Sequence, residues 1–271
     1  MIVIEGTSTI IFEEGTLSED EQAIYQKKKS SPVEYPFACV DDLLFELKLR
    51  TQIMEASWAL SKSGVFFAGF NNSVCNKAYW HHTDQGRFRL KSGVSPQAAI
   101  RDIFSHGNLY AFECSTAVVV VLYKALLESI DPEQFDWLFS DLLLFNWDYN
   151  ANLHLIDRTC MEEAVPGDVL YFDNPEFAPI LPWWRGENVV KMTDGLYYGH
   201  GHGIGVASEG DIITVLNKYR KPDSTQSAFL TDTIVFPDFS YFAKFQSNIR
   251  VKPIIAKVGD CTFVRPSQPF S

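Results

Sequence analysis

The chain has 271 residues and carries 23 Lys and Arg against 34 Asp and Glu, a formal charge of −11 at pH 7. That balance excludes nucleic acid and an anionic membrane surface as partners, because both demand a basic face. The five cysteines, Cys39, Cys75, Cys114, Cys160 and Cys261, contain no C-x-x-C pair and are odd in number, which excludes a zinc ribbon and argues against a disulfide framework.

The first residues carry Glu5, Glu13 and Glu14 without a basic segment, so no secretory signal is expected. Ser18-Glu19-Asp20-Glu21 is a capping-box pattern and predicts a short polar helix to about Lys28. Lys27 to Pro32 reads as a loop. A second helix is predicted from about Asp41 to Ser63, with Leu43, Leu47, Met54 and Leu60 as its apolar face and Gly64 as its stop. Tyr79-Trp80 and Arg87 to Leu90 flank Asp84-Gln85-Gly86 and predict a hairpin. Ser95-Pro96 opens a helix that Gly107 ends.

The next segment begins at Cys114 and runs to about Ser129. Val118 to Val121 is β-branched, but the apolar run continues through Leu122, Ala125 and Leu127 and is too long for a typical strand, so a buried helix is predicted. No apolar run reaches the length of a membrane span. Asp131-Pro132 opens another short helix.

Then the pattern changes. Gly167 to Phe172 and Asn188 to Met192 read as strands. Asp194-Gly195 is a turn, and Leu196 to Ala207 a third, glycine-rich strand. Glu209-Gly210 turns into a predicted strand at Ile212 to Leu216. Helices first and an antiparallel sheet afterwards define an α+β fold. Residues 246–271 show little helical periodicity and read as an added strand or tail.

Cys114 is the residue on which function turns. A thiol in the first turn of a helix faces unpaired N–H groups and the positive end of the dipole, and both favour the nucleophilic thiolate. A cysteine on a helix, followed by an acid or base on a sheet, is the chain order of papain-like folds. The sheet offers Glu187, in Trp183-Trp184-Arg185-Gly186-Glu187-Asn188, and His200 or His202, in Gly199-His200-Gly201-His202-Gly203. Two apart on a regular strand, these histidines would share a face. Two histidines with no third ligand at helpful spacing give no metal site. Glu187 has a plainer reading as the partner of Arg185. His81-His82 and His154 fall in predicted loops facing solvent. Trp147, Trp183 and Trp184 read as core or rim, and their clustering near Glu187 suggests a substrate channel; one lined by Phe67, Trp147 and Trp184 would exclude water.

Several blocks together resemble one family. They are Phe45-Glu46-Leu47-Lys48-Leu49-Arg50, Lys62-Ser63-Gly64, Tyr110-Ala111-Phe112-Glu113-Cys114, Phe172 to Phe177, Trp184-Arg185-Gly186-Glu187-Asn188 and Gln226-Ser227-Ala228. They stand in order between about residues 30 and 245 and are similar to the bacterial spore-coat protein-glutamine γ-glutamyltransferases. The resemblance implies a single catalytic domain over residues 1–245, with 246–271 as an extension. It implies a papain-like core, related to cell-wall cysteine peptidases, with the nucleophile at the start of a central buried helix packed on an antiparallel sheet. Cys114 matches the family's nucleophile, Glu187 its glutamate and His200 its histidine; the latter two each support the cysteine. His202 stands where an aliphatic residue is expected.

The resemblance further implies transfer of a protein glutamine's acyl group to lysine, forming ε-(γ-glutamyl)lysine links between spore-coat proteins, with no calcium or other cofactor. Such an enzyme would be made in the mother-cell cytoplasm and act at the spore surface. A cysteine peptidase or amidase needs the same nucleophile, and a non-catalytic coat protein is the remaining alternative.

Overall fold

Fourteen of the sixteen residues of the helix that begins at Cys114 are buried. A helix apolar on every side must lie inside the molecule, and this one organises everything around it. The computed structural model describes residues 1–146, 151–160, 163–247 and 253–267.

In chain order the first half holds strands β1 (Ile2–Ile4) and β2 (Thr9–Phe12), helix α1 (Glu19–Ser30), β3 (Tyr35–Phe37), helix α2 (Val40–Lys62), β4 (Phe66–Phe67), β5 (Trp80–His82) and β6 (Phe88–Leu90). Helix α3 (Pro96–Ser105), β7 (Ala111–Phe112), α4 (Cys114–Ser129), α5 (Pro132–Leu138) and β8 (Leu143–Leu144) follow. The second half holds β9 (Leu155–Thr159), β10 (Val169–Asp173), β11 (Gly186–Lys191), β12 (Leu196–Gly199), β13 (Gly205–Ser208) and α6 (Glu209–Asn217). It ends with β14 (Phe229–Leu230), β15 (Thr233–Pro237), α7 (Phe239–Ala243), β16 (Ile254–Val258) and β17 (Cys261–Arg265). The arrangement is α+β, as the sequence pattern predicts.

The main sheet has the order β13-β12-β11-β10-β15-β9, with β14 beside β10, and its pairings are antiparallel. Residues alternate between its two faces. Val190 and Tyr198 join the core built around α2 and α4. Val189, Phe172 and Tyr197 join a second core with Ile212 and Leu216 of α6. The sheet is therefore the middle of three layers.

A buried charge network ties the layers together. Arg50 of α2 donates to Glu46 Oε1 at 2.6 Å and to Asp168 Oδ1, just before β10, at 2.7 Å. Lys28 of α1 bonds Glu46 in the same cluster. Burial pulls Lys28 down to about 8 against the attraction of Glu46. Removing one member of such a cluster leaves an uncompensated buried charge, so the block Phe45 to Arg50 has a structural job.

Three expectations are corrected. Helix α1 continues to Ser30, because Lys28 is buried against Glu46 and holds its last turn in place. The segment 196–207 is two strands: it turns at residues 201–204, with Gly203 and Gly205 at φ 79° and 61°. Ile212 to Leu216 is helical. Ser208 caps α6 by accepting from Asp211 N, and Ile212 and Leu216, one turn apart, share its buried face. The tail forms two strands: β16 pairs with β17, and β17 lies parallel to β2.

Candidate active site

Phe112 ends β7 and Glu113 caps α4, so Cys114 is held at the point where strand becomes helix. Its Sγ opens on a cleft of about 1320 Å³. Phe67, Phe70, Trp183 and Trp184 make the cleft aromatic, and Glu113 and Asp173 give it two carboxylates. Trp184 is fixed by a face-to-face stack on Tyr219, 3.7 Å between ring centres. Trp147 lies outside the described residues.

The thiol hydrogen bonds locally. Sγ donates to Glu113 Oε1 at 3.2 Å, and Asn188 Nδ2 donates to Sγ at 3.4 Å. Glu113 Oε2 accepts the Ser115 N–H at 3.0 Å and also the Ser115 hydroxyl. The helix start is thus occupied by a carboxylate rather than left open. Burial, then Glu187, then Glu113, push the thiol well above its usual value, opposed by the N–H groups of Asn188. The resting group is a thiol, contrary to the depressed value expected from its position on the helix.

Glu187 and Asn188 are neighbours on β11 and point to opposite faces. Asn188 faces α4, and Glu187 faces the second core, where its register partner Phe172 is fully buried. Glu187 Oε1 accepts the Gly201 N–H at 2.7 Å. Burial raises its carboxyl to about 8, helped by Glu113 and resisted by the N–H groups of Gly201 and His200. It is a neutral acid at pH 7.

His200 lies on the α4 side. Its ring sits 5.1 Å from that of Phe112 and 6.4 Å from that of Phe67. Nδ1 meets the Tyr198 hydroxyl at 3.2 Å and Nε2 the Phe66 carbonyl at 3.3 Å. Burial lowers its pKa to about 4, so it is neutral at working pH. Among the described residues neither Glu187 nor His200 hydrogen bonds the thiol. His202 does not share a face with His200: the chain has left the strand, and His202 is exposed on the cleft wall. His81 and His82 are exposed as expected, but on strand β5; His154 is exposed and stacks on Tyr241.

Sequence reasoning missed Glu113 and Asn188 as partners of the thiol. Both signals were present. A carboxylate before a helix start is a capping residue, and alternation on a strand carrying Glu187 puts its neighbour on the opposite face. Among the described residues no cluster of three His, Cys, Asp or Glu side chains is placed to hold a metal. No helix among them is long and apolar enough to cross a membrane.

A family profile described as protein-glutamine gamma-glutamyltransferase matches residues 1–246. A protein of that name from Bacillus cereus strain G9842 is 40% identical over 241 residues, 85% of this chain and 86% of the relative. One from Bacillus anthracis is 42% identical over the same shares. The solved transglutaminase from Geobacillus stearothermophilus without its C-terminal extension superposes with a TM-score of 0.73 at 45% identity, covering 76% of this chain and 98% of that one. By sequence and by structure, this chain belongs to the protein-glutamine gamma-glutamyltransferase family.

Proposed function

We propose that the chain cross-links spore-coat proteins by transferring the acyl group of a protein glutamine from a Cys114 thioester to a lysine ε-amine. Family membership supplies the reaction class. The observation that carries the site is Cys114 itself, at the start of α4, opening on an aromatic cleft with two carboxylates.

The proposed steps combine the groups around it with the roles that the family resemblance gives Glu187 and His200. The thiol proton passes to a carboxylate, and Glu113 Oε1 is 3.2 Å from Sγ. The sulfur attacks the glutamine carboxamide carbon. The C–N bond breaks as the nitrogen takes a proton and leaves as ammonia. Glu187, with its carboxyl raised to about 8, is the acid that our reading assigns to this step. A lysine amine, as its free base, then attacks the thioester. Its proton goes to Glu187, the isopeptide C–N bond forms as the C–S bond breaks, and the proton held on Glu113 returns to the sulfur to restore the thiol. His200, neutral and pinned at both nitrogens, supports the aromatic wall beside Phe112 and shares the base role that the family resemblance gives it. Phe67 and Trp184 are proposed to line the channel for the two substrate side chains and to keep out water, which would hydrolyse the thioester.

The core is proposed to be papain-like, on the order of a helix-borne cysteine followed by an antiparallel sheet. Residues 1–245 are proposed as the catalytic domain and 246–271 as an extension to it. No calcium or other cofactor enters the scheme. Synthesis in the mother cell and action at the spore coat complete the reading.

Incorporation of a fluorescent primary amine into casein tests it. The transferase incorporates the amine, and chelator leaves the rate unchanged. Cleavage of casein without incorporation would identify a peptidase.

A further inference from the structure

Asn188 has no part in the scheme above, yet it is the residue aimed at the sulfur from the sheet. It lies opposite Tyr171 in the register of β10 and β11, on the face that meets α4. Its Nδ2 donates to Cys114 Sγ at 3.4 Å. The other groups near the sulfur do not help an anion. Glu113 caps its own helix and, while ionised, repels a thiolate; Glu187 on β11 does the same once ionised. The phenols of Tyr171 on β10 and Tyr198 on β12 stay neutral, both held above their ordinary values by burial. Asp173, Arg185 and His202 line the same cleft. The Ser115 N–H, which a helix start would offer, is bonded to Glu113 instead.

We infer that Asn188 is a catalytic residue whose side-chain amide holds the Cys114 thiolate, both before it attacks glutamine and when lysine releases it from the thioester. An amide donor suits this post because it does not titrate: it presents an N–H to the sulfur at every working pH. It touches the reacting atom without taking or giving a proton, so the proton balance of the scheme is unchanged. The inference rests on Cys114 being the nucleophile.

The test is the pH dependence of Cys114 alkylation by iodoacetamide in the full chain, followed by peptide mapping, beside amine incorporation. N188L removes the side-chain donors without adding charge. N188D keeps the shape and replaces a donor with an anion. The midpoint for Cys114 alkylation should rise by about one pH unit in N188L, a tenfold loss of thiolate at a fixed pH below it. N188D should raise it further. In both, kcat should fall by roughly 10²–10³, the cost of losing one such donor.

An unmoved midpoint in N188L overturns the inference whatever happens to kcat, and so does a moved midpoint with normal kcat. Should N188L fail to fold, shown by loss of its melting transition, N188D decides alone: a midpoint at or below the wild-type value overturns it. Failure of the underlying reading looks different, since amine incorporation would then survive in C114A.

Discussion

Glu187 and Gly201 are locked together. Glu187 Oε1 accepts the Gly201 N–H at 2.7 Å, and a Cβ built on Gly201 would fall on Glu187 Oε2 and within 2.8 Å of Ile204 Cδ1. Gly199 is nearly as tight, with Glu187 Oε1 3.0 Å from its virtual Cβ. The glycines around His200 make room for a buried carboxyl.

Gly201→Ala should therefore displace Glu187. Overpacking of this kind costs about 1–3 kcal/mol. The variant should melt several degrees lower and lose at least tenfold in kcat for amine incorporation. Thermal melts and kinetics of G201A check this; a variant with normal values would show that the carboxyl has somewhere else to go.

Stability should carry the signature of Glu187. Its folded value, about 8, lies above its ordinary one, 4.5, so the folded chain binds the extra proton between those limits. The resulting stability is present below pH 4.5 and is lost as pH rises through 8. His200 acts on the acid side. Its folded value near 4 lies below its ordinary 6.5, so the unfolded chain binds the extra proton and stability falls as pH drops from 6.5 to 4. Melting temperatures from pH 5 to 9 should show E187Q gaining on the wild type as pH rises. A constant difference would mean that Glu187 is ionised throughout.

Alkylation of the resting protein should not favour Cys114. Its thiol is buried and pushed upward by Glu187 and Glu113, whereas Cys39 is exposed. Iodoacetamide at pH 6 should label Cys39 first by peptide mapping. Cys114→Ala should still abolish amine incorporation, and Ala at Cys39, Cys75, Cys160 or Cys261 should leave it intact.

The division of labour between acid and base can be measured. General acid–base assistance is worth roughly 10²–10⁴ in rate. Glu187→Ala and His200→Ala should each lower kcat without reaching the loss in Cys114→Ala, and the double variant should fall further. His202→Ala should cost least, because His202 is exposed on the cleft wall. A crippled His202→Ala beside a normal His200→Ala would move the role to His202.

Much of this arrangement was legible in the sequence. The apolar run from Ala117 to Leu127, interrupted only by Lys124, demanded a buried helix, and the capping pattern at Ser18 and Pro96 after Ser95 placed two helix starts correctly. What escaped was set by tertiary contacts. Ile212 to Leu216 is short and β-branched enough to read as a strand, and only its packing against the second core makes it a helix. The helix position of Cys114 suggested a reactive thiolate, but that inference assumed an open helix terminus. Glu113 fills it, and the sign of the shift follows from burial and charges that no local pattern displays.

The pairing of β17 with β2 also bears on how the chain comes to be folded. Thr9 to Phe12 find their parallel neighbours at Cys261 to Val264, some 250 positions later. Closing so long a loop is entropically slow. On the ribosome the first segment of this edge must wait for a partner made some 250 positions later. The catalytic layers can assemble while it waits, so this junction should be the final piece fastened and the first to come loose under mechanical or thermal load.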